Sequence, residues 1–489
     1  MKRIQKAAAV LCGCLMLLRT VPTLPVSAEA APEFTRTAKY TASGGYNTGV
    51  LTDNNENTSY SFAAGGTLTI TTEDPICGIA VKFNRQAVPW RASAGQYEQE
   101  CGQYGFLHDF TDISEFITNT ITLTFHKAAS VCDVRVFGAG DLPSDVQVWQ
   151  PPCDKADLLL FTTHSDDEHL FFLGLIPTMT AKGYRMQVAY FVHHNGEPAR
   201  LHEQLNGLWT AGLRQYPVLG KFPDQYSTSA AGAKSNFASA GVSYDALIAN
   251  QTELLRRFRP DVVVGHDVNG EYGHGQHRLN TETLRKALEL SADPNAYPAS
   301  AQKYGTWDVP KTYLHLWGQN PIVMDYDTPL DYFGGKTAYQ VSMEAYSCHK
   351  SQQYTWFTTW ARGANRQFTK ATQITSYSPC HFGLYRTSVG TDTGIGDMFE
   401  HLDPLPGDTD GDGAVTAADA QLVLRDYAER IAGNPPLLGA RRGQAAEVSG
   451  DGIISVEDAQ LILRYYVANT VSGQALTWDD LTAGTNADS

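Results

Sequence analysis

Residues 158–170, LLLFTTHSDDEHL, run from an unbroken apolar stretch into one imidazole and three carboxylates within five positions, His164-Ser165-Asp166-Asp167-Glu168. The short, mainly apolar run 156–161 reads as a buried strand, and Asp166 onward as the start of a helix. Ser165, followed three residues later by Glu168, fits a capping box that would satisfy free N–H groups at the helix entrance. So much charge at a strand end makes a poor core and a good cation site. His164 before the helix and Asp167 in its first turn can meet on one metal ion, with Asp166 between them facing whatever the metal binds.

Outward from this stretch the chain reads as α/β. Apolar runs at 156–161, 188–192, 262–265 and 313–317 alternate with helical stretches at about 198–213, 243–258 and 279–290, which implies a mostly parallel, Rossmann-like sheet covered on both faces. Such sheets place their chemistry at the carboxyl ends of the strands. His164 follows the first run, His193-His194-Asn195-Gly196 the second and His266-Asp267 the third. A third ligand is best sought in the glycine-rich loop Asn269-Gly270-Glu271-Tyr272-Gly273-His274-Gly275-Gln276-His277, whose two histidines offer one ligand and one nearby acid or hydrogen-bond donor. Two His and one Asp leave a tetrahedral zinc with an open position, the arrangement of a catalytic site. Water acidified there needs a base within reach, and Asp166 is placed to be it. Tyr272 can donate to a developing oxyanion, or simply pack. Arg200 reads equally as a substrate clamp and as a helix-surface arginine paired with Glu203 or Glu197. His169, His193, His194 and His266 read as ordinary loop or core histidines, and Trp307, Trp317 and Trp356 as packing residues.

Together these residues resemble the PIG-L/LmbE family of zinc-dependent N-deacetylases, whose first signature is His-Pro-Asp-Asp-Glu and whose second ends in His-x-x-His. The resemblance spans about 155–352 and includes Asn195-Gly196-Glu197, Arg200 with Glu203, and His349-Lys350-Ser351-Gln352. It implies that His164, Asp167 and His277 bind zinc, that Asp166 is the general base, and that His274 steadies the oxyanion or the protonated leaving group. Ser165 replaces the family's proline, Leu173-Gly174 stands where two glycines are usual, and Gly275-Gln276 replaces Pro-Asp, which removes a carboxylate near the site.

Two flanking regions differ in character. Residues 31–142 carry short β-branched and aromatic runs separated by Gly, Asn and Asp turns, the pattern of a β-sandwich. Residues 51–58 and 133–138 resemble the discoidin-like carbohydrate-binding sandwiches; a spacer sandwich without ligand fits equally. A Pro-containing connector, 143–154, precedes the catalytic region at 155–395, and a second connector covers 396–406. Near the C-terminus an internal duplication appears, in which Ala420-Gln421-Leu422-Val423-Leu424-Arg425 recurs as Ala459-Gln460-Leu461-Ile462-Leu463-Arg464, each copy after an acidic, glycine-rich loop. Residues 407–470 resemble a type I dockerin, a small all-α unit of paired EF-hand-like loops, with 471–489 as a tail. That resemblance implies calcium at Asp408, Asp410, Asp412 and Asp419 in the first loop, and at Glu447, Ser449, Asp451 and Asp458 in the second. The second loop departs at its first and third positions, so it should bind calcium more weakly. Leu422, Val423, Leu461 and Ile462 are expected on exposed faces, serving a small core or a partner, which for a dockerin is a cohesin.

With 489 residues the chain is multidomain. Lys2, Arg3 and Lys6 precede an apolar run and small residues near Ala28 and Ala30, so residues 1–30 read as a signal peptide and the mature protein as secreted, or held at a cell surface through a scaffold. No later stretch is long and apolar enough to span a membrane. The formal charge of −15 becomes about −18 once a leader with four basic and one acidic residue is removed, which argues against nucleic acid. Six cysteines follow the leader, and their spacing indicates no pairing over free thiols. The sequence reads as a zinc-dependent deacetylase of N-acetylated amino sugars in a glycan. A catalytically silent glycan-binding or adhesion protein, and a metal hydrolase of another amide or ester, remain open.

Overall fold

The structure, a computed structural model, describes residues 29–45, 47–433 and 436–483. The expected leader lies outside the described residues except for Glu29 and Ala30. These two belong to the first folded region, where the Glu29 carbonyl accepts from Asp141 N at 2.9 Å and Ala30 bridges Asp141.

The N-terminal region folds as two antiparallel sheets. One runs in the order Lys39–Ala42, Thr67–Ile76, Thr118–Phe125, Trp90–Ala94, Tyr97–Cys101, and the other Tyr60–Phe62, Ala129–Phe137, Gly78–Phe83, His108–Asp112. Alternation decides which face is covered: Leu68 and Ile70 are buried while Thr67, Thr69 and Thr71 are more open. Ala129–Phe137 is instead buried at nearly every position. Its sheet is covered on its far side by the next domain, where Phe106 stacks on Tyr216 at 4.6 Å, the Tyr216 hydroxyl accepts from Leu107 N, and His108 Nε2 lies 2.8 Å from His202 Nδ1. The 143–154 connector is packed here through Val146, Trp149 and Cys153.

The central sheet has the order Met186–Tyr190, Leu158–Thr162, Val262–Gly265, Lys311–His315, His381–Thr387, Pro321–Val323. The first four strands are parallel and buried throughout. Leu158 and Leu160 point into one hydrophobic cluster, Leu159 and Phe161 into another, so both faces are covered and the strands read as continuous apolar runs. His381–Thr387 runs antiparallel to both of its neighbours, so the sheet is mostly parallel, as expected, with one reversed strand next to its edge. Strand order reverses between Leu158–Thr162 and Val262–Gly265, and the crevice for a ligand opens beyond their carboxyl ends.

The helix entrance after the first strand also differs from expectation. A four-residue helix, Asp167–Leu170, is followed by turns and then by Leu175–Ala181. Ser165 does not cap it; its hydroxyl donates to the Arg200 carbonyl at 3.3 Å. Glu168 Oε2 accepts from Asp166 N at 2.9 Å, and Asp167 Oδ2 from His164 N at 2.7 Å, so the acidic side chains satisfy these amides themselves.

The duplicated C-terminal segment forms helices Ala417–Ile431 and Val456–Tyr465, each opened by a capping box, Thr416 with Asp419 and Ser455 with Asp458. Val423, Leu461 and Ile462 are buried in its small core, and Leu422 is partly buried, which corrects their expected exposure. The neighbouring Leu424 and Leu463, at matching positions of the repeat, are exposed instead. All six cysteines among the described residues are free thiols. No helix of the described residues is long and apolar enough to cross a membrane.

Candidate active site

Parallel pairing places the ends of Leu158–Thr162 and Val262–Gly265 side by side, and the residues that leave those ends converge. His164 Nδ1 lies 3.3 Å from Asp167 Oδ2 and 3.1 Å from His277 Nε2, and His277 Nε2 lies 3.3 Å from Asp167 Oδ2. Ligands about 2.0–2.1 Å from a tetrahedral zinc sit about 3.3 Å from one another. The three atoms therefore form a triangle of the size a zinc ion requires. Two other groupings, His164-His274-His277 and Asp167-His266-His277, are close enough to share an ion. His266, however, is engaged on both nitrogens, with Nε2 accepting from Thr163 N at 3.1 Å and Nδ1 facing Glu271 Oε2 at 2.8 Å, although Nε2 also lies 3.6 Å from Asp167 Oδ2.

Burial works against charge here, yet the charges prevail. It lowers the basicity of His164, but Asp167 and Asp224 outweigh it and hold that imidazole well above its usual range. Burial is likewise overcome at His277, which Asp167 and Glu271 raise to about 9. Burial would raise Asp167, but His277 and His164 keep it well below the carboxylate range. The cluster thus demands positive charge on its carboxylates, which protons or a metal ion can provide.

Glu271 is the hub that sequence reading missed. Wholly buried, it faces His266 Nδ1 at 2.8 Å, His277 Nδ1 at 2.7 Å and His315 Nδ1 at 2.8 Å. Accepting the Nδ1 proton of His277 leaves Nε2 free to ligate. Asp224 was also missed. A two-residue parallel pairing of Val192–His193 with Phe222–Pro223 carries it in, and its carboxylate lies 3.6 Å from His164 Nε2 and 3.7 Å from His194 Nδ1.

Asp166 stands beside the triangle without joining it. Its backbone is held at φ 144°, a conformation that L residues rarely adopt. Burial first, and Asp167 next, raise its carboxyl to about 7, opposed by Arg200. Arg200 is buried rather than on a helix surface. It donates to the Ser165 carbonyl at 3.0 Å and lies 3.9 Å from Asp166 Oδ1. Glu203, its expected partner, binds the amide and hydroxyl of Ser351 instead. His274 caps the helix Gly275–Leu290 by accepting from Gln276 N on Nδ1, which leaves its proton on Nε2. Burial, with His164 and His277, lowers it to about 2, so it stays neutral. Tyr272, at φ 46°, sets its ring 5.9 Å from that of His277. Behind the site, Glu168 Oε1 lies 3.5 Å from His169 Nε2 and 3.4 Å from His349 Nε2, all fully buried.

In the C-terminal loops, Asp408, Asp410 and Asp419 come close enough to share a cation, while Asp412 accepts from Ala414 N. Among the described residues the second loop brings no three acidic or imidazole donors together. Glu447 there accepts from Gly450 N and Gly452 N, Ser449 Oγ donates to Glu447, Asp451 accepts from Ile453 N, and Asp458 from Val448 N, Ser449 N and Ser455 N.

The PIG-L family profile, described as GlcNAc-PI de-N-acetylase, matches residues 159–288. A protein of Saccharopolyspora erythraea named 1D-myo-inositol 2-acetamido-2-deoxy-alpha-D-glucopyranoside deacetylase 2 is 33% identical over 132 residues, 25% of this chain and 46% of that one. A Streptomyces scabiei deacetylase of the same description is 27% identical over 207 residues, 37% of this chain and 62% of its own. The chain spans about half the length of the curated relatives it matches. Among solved structures, N,N'-diacetylchitobiose deacetylase from Pyrococcus horikoshii aligns with a TM-score of 0.35 at 16% identity, over 47% of this chain and 84% of that one.

Proposed function

We propose that the domain carrying residues 159–288 is a PIG-L-type, zinc-dependent deacetylase that removes the N-acetyl group from an amino sugar in a glycan. The observation that carries this reading is the triangle of His164 Nδ1, Asp167 Oδ2 and His277 Nε2, with a second buried carboxylate, Asp166, next in the chain to Asp167 and linked electrostatically to it and to Arg200. His164, Asp167 and His277 would hold the zinc, which would supply Lewis acidity to an amide carbonyl and acidify water. Asp166 takes the proton from the attacking water and returns it to the amine nitrogen as the C–N bond breaks, leaving acetate and a free amino sugar. The Nε2–H of His274 and the phenol of Tyr272, whose rings pack against that of His277, would donate to the developing oxyanion. The buried Arg200 guanidinium favours the charged form of Asp166 and offers its remaining N–H groups to substrate hydroxyls. Glu271 holds the tautomer of His277 throughout.

The rest of the chain supports export and attachment in this reading. The basic-apolar leader directs secretion, and the pairing of Glu29 and Ala30 with Asp141 favours processing after Ala28. The C-terminal repeat acts as a calcium-binding dockerin that tethers the enzyme to a cohesin-bearing scaffold, with the first loop as its stronger calcium site.

Release of free amine and acetate in equal amounts from N-acetylglucosamine and N-acetylgalactosamine oligosaccharides, dependent on added zinc, tests the activity. Carboxylate without new amine would point to an ester substrate, and no release from any of them, in protein lacking one equivalent of zinc, to a binding protein.

A further inference from the structure

The mechanism leaves a group of aromatic side chains next to the metal ligands unused. The helix Thr355–Arg362 buries only Ala361, and Trp356, expected to pack, is 47% exposed. Trp356 and Trp360, one turn apart, hold their rings parallel within 3°, with centroids 6.2 Å apart. Tyr354, just before the helix, is exposed as well. This strip is continuous with the site. The Trp356 ring lies 5.2 Å from that of Tyr272, Phe357 also contacts Tyr272 at 5.9 Å, and Tyr272 contacts His277. Tyr226, 69% exposed, stands edge-on to His274 at 5.2 Å.

A surface helix ordinarily turns its apolar face inward, and contiguous exposed apolar area marks a place where something binds. The form of the strip selects its occupant. A fatty acyl chain gains most when apolar surface encloses it on all sides. A pyranose ring has one apolar C–H face and a rim of hydroxyls that prefer water. The open face of Trp356, backed by Trp360, which is half-buried against Phe171 with its indole N–H on the Ser376 carbonyl, covers such a face and leaves the rim wet, as indole and phenol groups do at half-wet interfaces.

We propose that Trp356, with Trp360 and Tyr354 alongside, is a stacking platform for the sugar next to the one whose acetamide lies at the metal, so that the substrate is an oligosaccharide and not a free amino sugar. This rests on the amino-sugar reading above.

The test compares the zinc-loaded wild type with Trp356→Ala and Trp356→Phe on N-acetylglucosamine and its β-linked trimer. Trp356→Ala should lower the trimer-to-monomer ratio of kcat/KM about tenfold, mainly through KM for the trimer, and Trp356→Phe should keep most of it. A second arm follows trimer binding by intrinsic fluorescence in zinc-loaded Asp166→Asn, where Trp356→Ala should weaken Kd about tenfold. Trimer binding that depends on Trp356 without any amine release would sustain the platform and reject the deacetylase. Amine release with both ratios unchanged by Trp356→Ala would sustain the deacetylase and overturn the platform. The platform also falls if the substitution alters preference between N-acetyl and N-hexanoyl sugars rather than between trimer and monomer.

Discussion

Asp167 and Asp166 are adjacent carboxylates with opposite electrostatics, one held far below its usual range by two imidazoles and the other raised to about 7 by burial and its neighbour. Asp166→Asn should therefore retain one equivalent of zinc and lose at least about a hundredfold in kcat; activity within tenfold of wild type would remove Asp166 from its role. Glu271→Gln should cut zinc affinity about 10–100-fold, read by competition with a chelator, because three imidazoles lose the carboxylate that orients them. His164 is held above its usual range by Asp167 and Asp224, and His277, raised to about 9, carries a proton at pH 7 in the metal-free site. Zinc binding should therefore release the His277 proton at pH 7, a contribution that fades as the pH rises above about 9. Proton release by calorimetry in buffers of different ionisation enthalpy checks this. His164, Asp166 and Asp167 were legible because they lie within four positions of one strand end. Glu271, Asp224 and His315 were not. A glutamate in a glycine-rich loop gives no sign that three imidazoles, one of them 44 residues away, will turn towards it.

The turn after Leu158–Thr162 is held by contacts that a local pattern cannot reveal. The spacing of Ser165 and Glu168 fits a capping box, yet tertiary partners won: Ser165 went to the Arg200 carbonyl, and Glu168 to the Asp166 amide. Gly174, at φ 86°, starts the next helix, and a Cβ there would come within 2.3 Å of the Tyr326 ring. Gly174→Ala should cost about 2–4 kcal/mol in denaturant unfolding, from the left-handed backbone and the clash together. The four parallel strands were readable because strands covered on both faces are apolar at every position. The edge beyond them was not, since the reversed strand His381–Thr387 is only half-buried over its last three residues and Pro321–Val323 has three residues that alternate in burial.

Across the whole molecule, modules that sequence composition separates are packed together. The core of the N-terminal sandwich is continuous with that of the α/β domain through Phe106, Trp149 and Tyr216. At the other end, Arg441 of the C-terminal repeat binds Asp261 at 2.8 Å. The repeat itself was legible as a duplication; which of its leucines faced inward was not, because Leu422 to Leu424 and Leu461 to Leu463 are apolar at every position. Asp419 accepts from Thr409 N, Asp410 N and Thr416 N, so Asp419→Ala should abolish the tighter of two calcium-binding steps and the calcium-dependent capture of a cohesin; unchanged capture in a chelator would reject the dockerin reading. The central claim is that His164, Asp167 and His277 hold one catalytic zinc while Asp166 moves the proton. It is tested most directly by measuring bound zinc and amine release together in wild type, His277→Ala and Asp166→Asn on an N-acetylglucosamine oligosaccharide. The account predicts zinc with turnover in the first, neither in the second, and zinc without turnover in the third. Full zinc occupancy in His277→Ala, or turnover that persists without zinc, would contradict it.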